Sequence, residues 1–180
     1  MKLNVGDSLV YPPHGAVTVT GVTNRSFNES DTKYVQFRVH HDGLMIEVPA
    51  AKAKDLGARQ PIGKKGVQKV ISILRTPVST EKEIWSRRFK ANQEKITNGD
   101  VYKISEVVRD LTRRLQSGVA PAGEKRQLEQ ARRILVSELA LSENTDEAGA
   151  GAIIDDVLRP EDVEETPATT PKRVKAAASA

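Results

Sequence analysis

The chain has 180 residues, no cysteine and a net charge of +4, which excludes disulfides, thiolate metal sites and a cysteine nucleophile. The opening MKLNVGDSLV has no long apolar run, and no stretch approaches the ~20 apolar residues that span a bilayer, so a soluble cytoplasmic protein with no membrane partner is expected. The charge is divided: residues 1–70 carry 10 Lys/Arg and 6 Asp/Glu, residues 71–141 carry 14 and 9, and residues 142–180 carry 4 and 9. A basic body with an acidic end points the body toward an anionic partner.

Residues 1–50 read as short strands. Val5, Leu9 and Val10 lead into Tyr11-Pro12-Pro13-His14-Gly15, where two prolines and a glycine force a turn. Ala16 to Val22 is rich in Val and Thr, which suit a pleated surface. Asn24 to Thr32 is polar and reads as a loop or hairpin tip. Tyr34, Phe37 and Val39 open a third strand, His41-Asp42-Gly43 is a hairpin signal, and Leu44 to Val48 is a fourth strand closed by Pro49. So many short strands predict a small curled sheet or barrel. Ala51 to Gly57 reads as a helical turn, after which Gly57, Pro61, Gly63 and Gly66 break regular structure. The domain boundary is expected near Gly63 to Gly66, with a β module over 1–65 and a helical domain over 66–159.

Val67, Val70, Ile71 and Leu74 recur at helical spacing, and Pro77 stops that helix. The next stretch, IWSRRFKANQEK from Ile84 to Lys95, holds the only tryptophan and gathers Arg87, Arg88, Lys90 and Lys95 around Trp85 and Phe89. Thr80-x-x-Glu83 has the form of a capping box, so this helix is expected to open near Thr80. Trp85, Phe89 and Ile96 fall on one stripe, which favours a core place for Trp85. A helix end can also overhang its core, and spacing does not decide between the two. Among cations, an exposed ring suits nucleic acid, with the cations on phosphate and the ring against bases.

Asn98-Gly99-Asp100 reads as a stop followed by a new cap. Val101, Ile104, Val107, Val108, Leu111 and Leu115 then mark one apolar face. After the break at Gly118 to Gly123, Glu124 to Leu141 is amphipathic, with Leu128, Ala131, Leu135 and Leu139 inward. Lys125 and Arg126 stand in its first turn, the end where the macrodipole favours anions, which hints at a partner. A final helix is expected over Glu147 to Leu158, ended by Pro160. Residues 160–180 are Pro-, Ala- and charge-rich with little to bury and read as a disordered tail. His14, His40 and His41 lack carboxylates at metal-ligand spacing, and no phosphate-cradling glycine loop or catalytic triad is recognisable. No enzyme activity, metal, cofactor or small-molecule substrate is expected.

In order along the chain, VYPPHGAV (Val10 to Val17), IWSRRFKANQEK, EVVRDL (Glu106 to Leu111) and AGEKRQLEQARRILVSELAL (Ala122 to Leu141) resemble the CarD/CdnL family of bacterial transcription regulators, actinobacterial branch. The resemblance covers residues 1 to about 158. It implies an α+β fold: an N-terminal Tudor-like (SH3-like) β module, shared with transcription-repair coupling factors, followed by an all-α helical bundle. The family's β module binds the RNA polymerase β subunit, and its bundle contacts promoter DNA at the upstream edge of the transcription bubble, so nucleoid association is implied. By the same resemblance Trp85 is solvent-facing and wedges into the minor groove, while Phe89 and Ile96 stay in the core. Arg87, Lys90 and Lys125 match DNA-contacting positions, and Arg25 matches a polymerase-contacting arginine. Glu47 departs from the pattern, since close relatives carry arginine there, and a weaker polymerase contact is expected. Two other classes stay open: a polymerase-independent architectural DNA-binding protein, and a protein–protein adaptor with Trp85 as its hot spot.

Overall fold

The computed structural model describes residues 3–27, 30–77, 84–118 and 120–159. Four strands, β1 (Ser8–Tyr11), β2 (Gly15–Phe27), β3 (Ser30–Val39) and β4 (Met45–Pro49), pair antiparallel in the order β1-β2-β3-β4. Alternation sets the buried face: Val17 and Val19 on β2 and Val35, Phe37 and Val39 on β3 are all buried, with Leu9 and Val48 closing the core from the flanking strands. The β2–β3 register shifts between Val19 and Gly21, and such an irregularity bends the sheet into a half-barrel. Asn24 to Thr32, read as a loop or hairpin tip from its polarity, is the end of the β2–β3 hairpin, and the ladder runs into it, with Asn24 opposite Lys33 and Arg25 opposite Thr32. Backbone pairing, not side-chain burial, extends this hairpin beyond its apolar part.

Five helices follow: α1 (Lys64–Arg75), α2 (Trp85–Asn98), α3 (Val101–Gln116), α4 (Ala122–Glu143) and α5 (Glu147–Leu158). The architecture is the expected α+β one, with an antiparallel half-barrel first and helices after it. Val70, Leu74, Ile96, Ile104, Leu111, Leu135 and Ile154 share the helical core. Gly99 ends α2 in the left-handed conformation (φ 73°) and Asp100 at once caps α3, accepting from Tyr102 N at 2.8 Å. Two expectations fail. The tryptophan helix starts at Trp85 with Ile84 as its N-cap, not near Thr80, and the supposed capping box lies in 78–83, outside the described residues. Leu115, on the apolar stripe of α3, is 41% exposed, because it stands in the last turn, beyond the neighbours that cover Leu111. The tail reading for 160–180 also falls outside the described residues.

The two parts meet along α4. Gly15 turns with φ +82° against it, and a Cβ there would collide with Ser137 Oγ. The same hydroxyl accepts from Ala16 N at 3.0 Å. Arg59, bridged to Val10 of β1, donates to both oxygens of Glu138 at 2.5 and 2.8 Å and to Gly99 O at 3.2 Å. Ile62 N adds a third donor to Glu138. Burial alone would lower the Arg59 pKa, but the hydrogen-bonded Glu138 carboxylate outweighs it and the net shift is upward. A charged group from each part therefore locks the half-barrel to the bundle.

Candidate nucleic-acid interface

Trp85 is 47% exposed although it lies on the stripe that buries Asn92 and Ile96. It is the first residue of α2, and there the helix projects past its support. Ile84 beside it is 66% exposed, so an apolar pair stands at the helix tip. The indole is nonetheless held: Phe89, one turn on, packs against it in a tilted arrangement with ring centroids 5.3 Å apart and planes 32° apart. Phe89 is only half-buried and not fully in the core as expected. Its ring lies over Gly123, where a Cβ would come within 3.2 Å of it.

Beneath this pair is a buried carboxylate. Glu124 on α4 has no exposed surface and accepts from Arg88 Nε (2.8 Å) and Nη2 (2.6 Å) on α2 and from Arg114 Nε (3.1 Å) on α3. Gln127 adds a tie from its side-chain amide to Phe89 O at 2.9 Å. Three helices are thus fastened together directly under the tip that carries Trp85. A buried charge with full hydrogen bonding is tolerated only when its partners are fixed, so the arrangement makes the tip rigid.

These contacts sort the cations. Arg88 turns inward to Glu124, and Lys95 pairs with Glu106 at 2.8 Å. Arg87, Lys90 and Lys125 are exposed, and among the described residues none of them has an ion-pair partner. Lys125 follows Glu124 directly, so the Arg88–Glu124 bond brings it to the same end as Trp85 and Arg87. Sequence reasoning missed Glu124 and Glu138. Yet the spacing of Leu128, Ala131 and Leu135, carried one step each way, lands on both, and an acid on an apolar stripe signals a buried partner.

Arg25 and Glu47 are on the half-barrel, away from this end, and the structure pairs them with each other. Arg25 Nη2 lies 2.5 Å from Glu47 Oε2 and its guanidinium sits 5.7 Å from the Tyr34 ring centroid. Gln36 Nε2 donates to the other Glu47 oxygen at 2.7 Å. Among the described residues no cluster of His, Cys, Asp and Glu could hold a metal ion, and no helix is long and apolar enough to cross a membrane.

Residues 3–59 match the family model of the CarD-like/TRCF RID domain, and residues 69–155 match that of the CarD C-terminal domain. The putative transcription factor YdeB of Bacillus subtilis (strain 168) is 30% identical over 135 residues, spanning 75% of this chain and 88% of YdeB. The solution NMR structure of the 72-residue N-terminal domain of Myxococcus xanthus CarD is similar at 30% identity, covering 33% of this chain and 79% of that one with a TM-score of 0.29. A module of the RNA polymerase-interacting kind joined to a helical domain defines a class of bacterial transcription factor. The chain belongs to the CarD/CdnL family.

Proposed function

We propose that this protein stabilises the open promoter complex, with residues 1–65 gripping the RNA polymerase β subunit and residues 66–159 engaging DNA at the upstream edge of the bubble. The observation that carries the reading is the exposed, buttressed Trp85 at a helix tip flanked by cations that have no ion-pair partner among the described residues. An opened promoter tends to reanneal. An indole lodged beside the last base pair opposes rewinding by filling the distorted minor groove. Unstacking a step costs about a few kcal/mol, and stacking a base on an aromatic ring returns roughly 1–3 kcal/mol. Each ~1.4 kcal/mol changes the open-to-closed ratio tenfold, so one ring is enough. Arg87, Lys90 and Lys125 would hold phosphates, which positions the duplex without reading its sequence. No nucleotide hydrolysis is required, because differential binding alone shifts the equilibrium.

The rigid joint at Arg59–Glu138 supports this reading. A factor that grips polymerase with one part and wedges DNA with the other works only if the distance between them is fixed. Open-complex lifetime on a ribosomal RNA promoter tests it. Trp85→Ala should shorten the lifetime roughly tenfold while polymerase binding stays normal. Lost polymerase binding with no change at promoters would instead make Trp85 an adaptor's hot spot. Equal DNA affinity with and without polymerase would point to an architectural protein.

A further inference from the structure

Arg126 stands beside Lys125 at the end of α4 that disfavours cations, and the wedge gives it no task. In α4, Arg126, Gln130, Arg133 and Ser137 recur at i, i+4, i+7 and i+11, which is one stripe of a helix. The two ends of the stripe differ. Ser137 is buried and bonded to Ala16 N, so the stripe ends under the half-barrel. Nearer the N-terminus Arg126 and Arg133 are exposed and Gln130 is half-buried. Among the described residues neither arginine has an ion-pair partner, whereas their neighbour Arg132 pairs with Asp155 at 2.8 Å. Helix α2 runs along one border of the stripe, since Gly123 and Gln127 on the adjacent side of α4 pack under Phe89.

Where the stripe reaches the half-barrel there is a cavity of about 270 Å³, with Gln130 and Arg133 on one wall and His14, His41 and Asp42 on the other. Its donors are of the kind that bind phosphate oxygens: a guanidinium, a side-chain amide and ring N–H groups. Asp42 is the acid in the lining, and it is already engaged, accepting from Leu44 N at 3.0 Å and lying 3.4 Å from His41 Nε2. Exposed Glu129 flanks the stripe on its other border without pairing to either arginine. The cavity offers no aromatic pocket of the sort that anchors a protein partner.

We propose that this stripe and the cavity at its end form a second phosphate-contact track, which carries the backbone of the same promoter duplex upstream of the wedge. The proposal rests on the open-complex reading and deepens it. Arg133 lies eight residues beyond Lys125, about 12 Å along the helix, which matches the rise of roughly three to four base pairs. A duplex held at Lys125 and lying along α4 passes Arg126 and then Arg133 within its next half turn. The track adds grip without adding sequence preference.

The test uses the full chain, its polymerase and a promoter fragment, and compares wild type, Arg126→Ala/Arg133→Ala and Trp85→Ala. Each lost phosphate contact lowers the slope of log affinity against log salt by about 0.9, so the double variant should lose close to two units of slope. Trimming the upstream duplex back to the base pairs that Arg87, Lys90 and Lys125 hold should weaken wild type several-fold and leave the double variant unaffected by the trimming. Trp85→Ala should keep the wild-type slope and trimming response while its open complexes decay faster. An unchanged slope and trimming response in the double variant overturns the track and leaves the wedge standing. Loss of polymerase binding by the double variant without DNA also overturns it, because the stripe would then be a protein contact. A silent Trp85→Ala beside a flattened slope in the double variant sinks the wedge and supports the track.

Discussion

Two arginines, Arg87 on the helical tip and Arg25 on the half-barrel, are both exposed, yet their surroundings are opposite. Beneath Arg87 the buried acid, Glu124, is turned inward and occupied by Arg88 and Arg114. Positive charge is left facing solvent on a rigid base. Around Arg25 the acid is Glu47, on the same surface and paired with it. One site holds an arginine with no ion pair among the described residues; the other is an internally compensated pair. The difference lies in where each glutamate points, not in how many charges each region carries.

The largest effect should come from breaking the base beneath the tip. Glu124→Ala leaves Arg88 and Arg114 without their shared acceptor, and losing one side of a buried ion pair costs about 3–5 kcal/mol. Chemical denaturation measures that loss. Because Trp85 is the only tryptophan, its fluorescence also reports locally, and its emission should move toward that of free indole before global unfolding. A variant with wild-type stability and emission would show that the tip does not depend on this carboxylate.

Next in size is the joint between the two parts. Glu138→Ala removes three donors' acceptor, but the Arg59 side chain is 32% exposed and can rehydrate, so the expected loss is about 2–3 kcal/mol. The informative readout is the shape of the transition. Thermal unfolding should broaden or split as the half-barrel and the bundle, each with its own apolar core, melt separately. Open complexes should also shorten in lifetime although neither contact surface has been touched. A single sharp transition at nearly wild-type temperature would mean that Ser137, Gly15 and the surrounding packing suffice as the joint.

Much of this was legible beforehand, and the exceptions share a cause. Helix periodicity located Leu74, Ile104 and Leu135 in the core, and Asn98-Gly99-Asp100 marked a real stop and start. Periodicity says which side of a helix faces inward but not how far the neighbours extend along it. Trp85 and Leu115 therefore both lay on buried stripes and both emerged exposed at helix ends. The resemblance to CarD/CdnL proteins, not spacing, pointed Trp85 outward. The destination of a charged side chain was hidden as well: Arg87 and Arg88 are adjacent in sequence, and only the fold shows that one is held inside and the other is not.

Trp85→Ala ranks below both glutamates for stability, since a half-exposed ring contributes little to the core. Its denaturation midpoint should sit within about 1 kcal/mol of wild type while open-complex decay accelerates. A large stability loss would move Trp85 from the partner's side of the comparison to the core's.

The smallest effect tests the other member of the comparison. An exposed ion pair is worth about 0–1 kcal/mol, so Glu47→Gln should scarcely change folding. It should, however, release Arg25 from its partner, leaving the guanidinium over Tyr34 and open to an acidic surface. If the half-barrel meets acidic residues of the polymerase β subunit, Glu47→Gln should bind more tightly, and Glu47→Arg more tightly still because it adds a cation beside the first. A pull-down series with the cognate β subunit reads the order directly. The reverse order would mean that Glu47 itself contacts a cation on the polymerase, so that the pair as a whole, and not Arg25 alone, is what the partner meets.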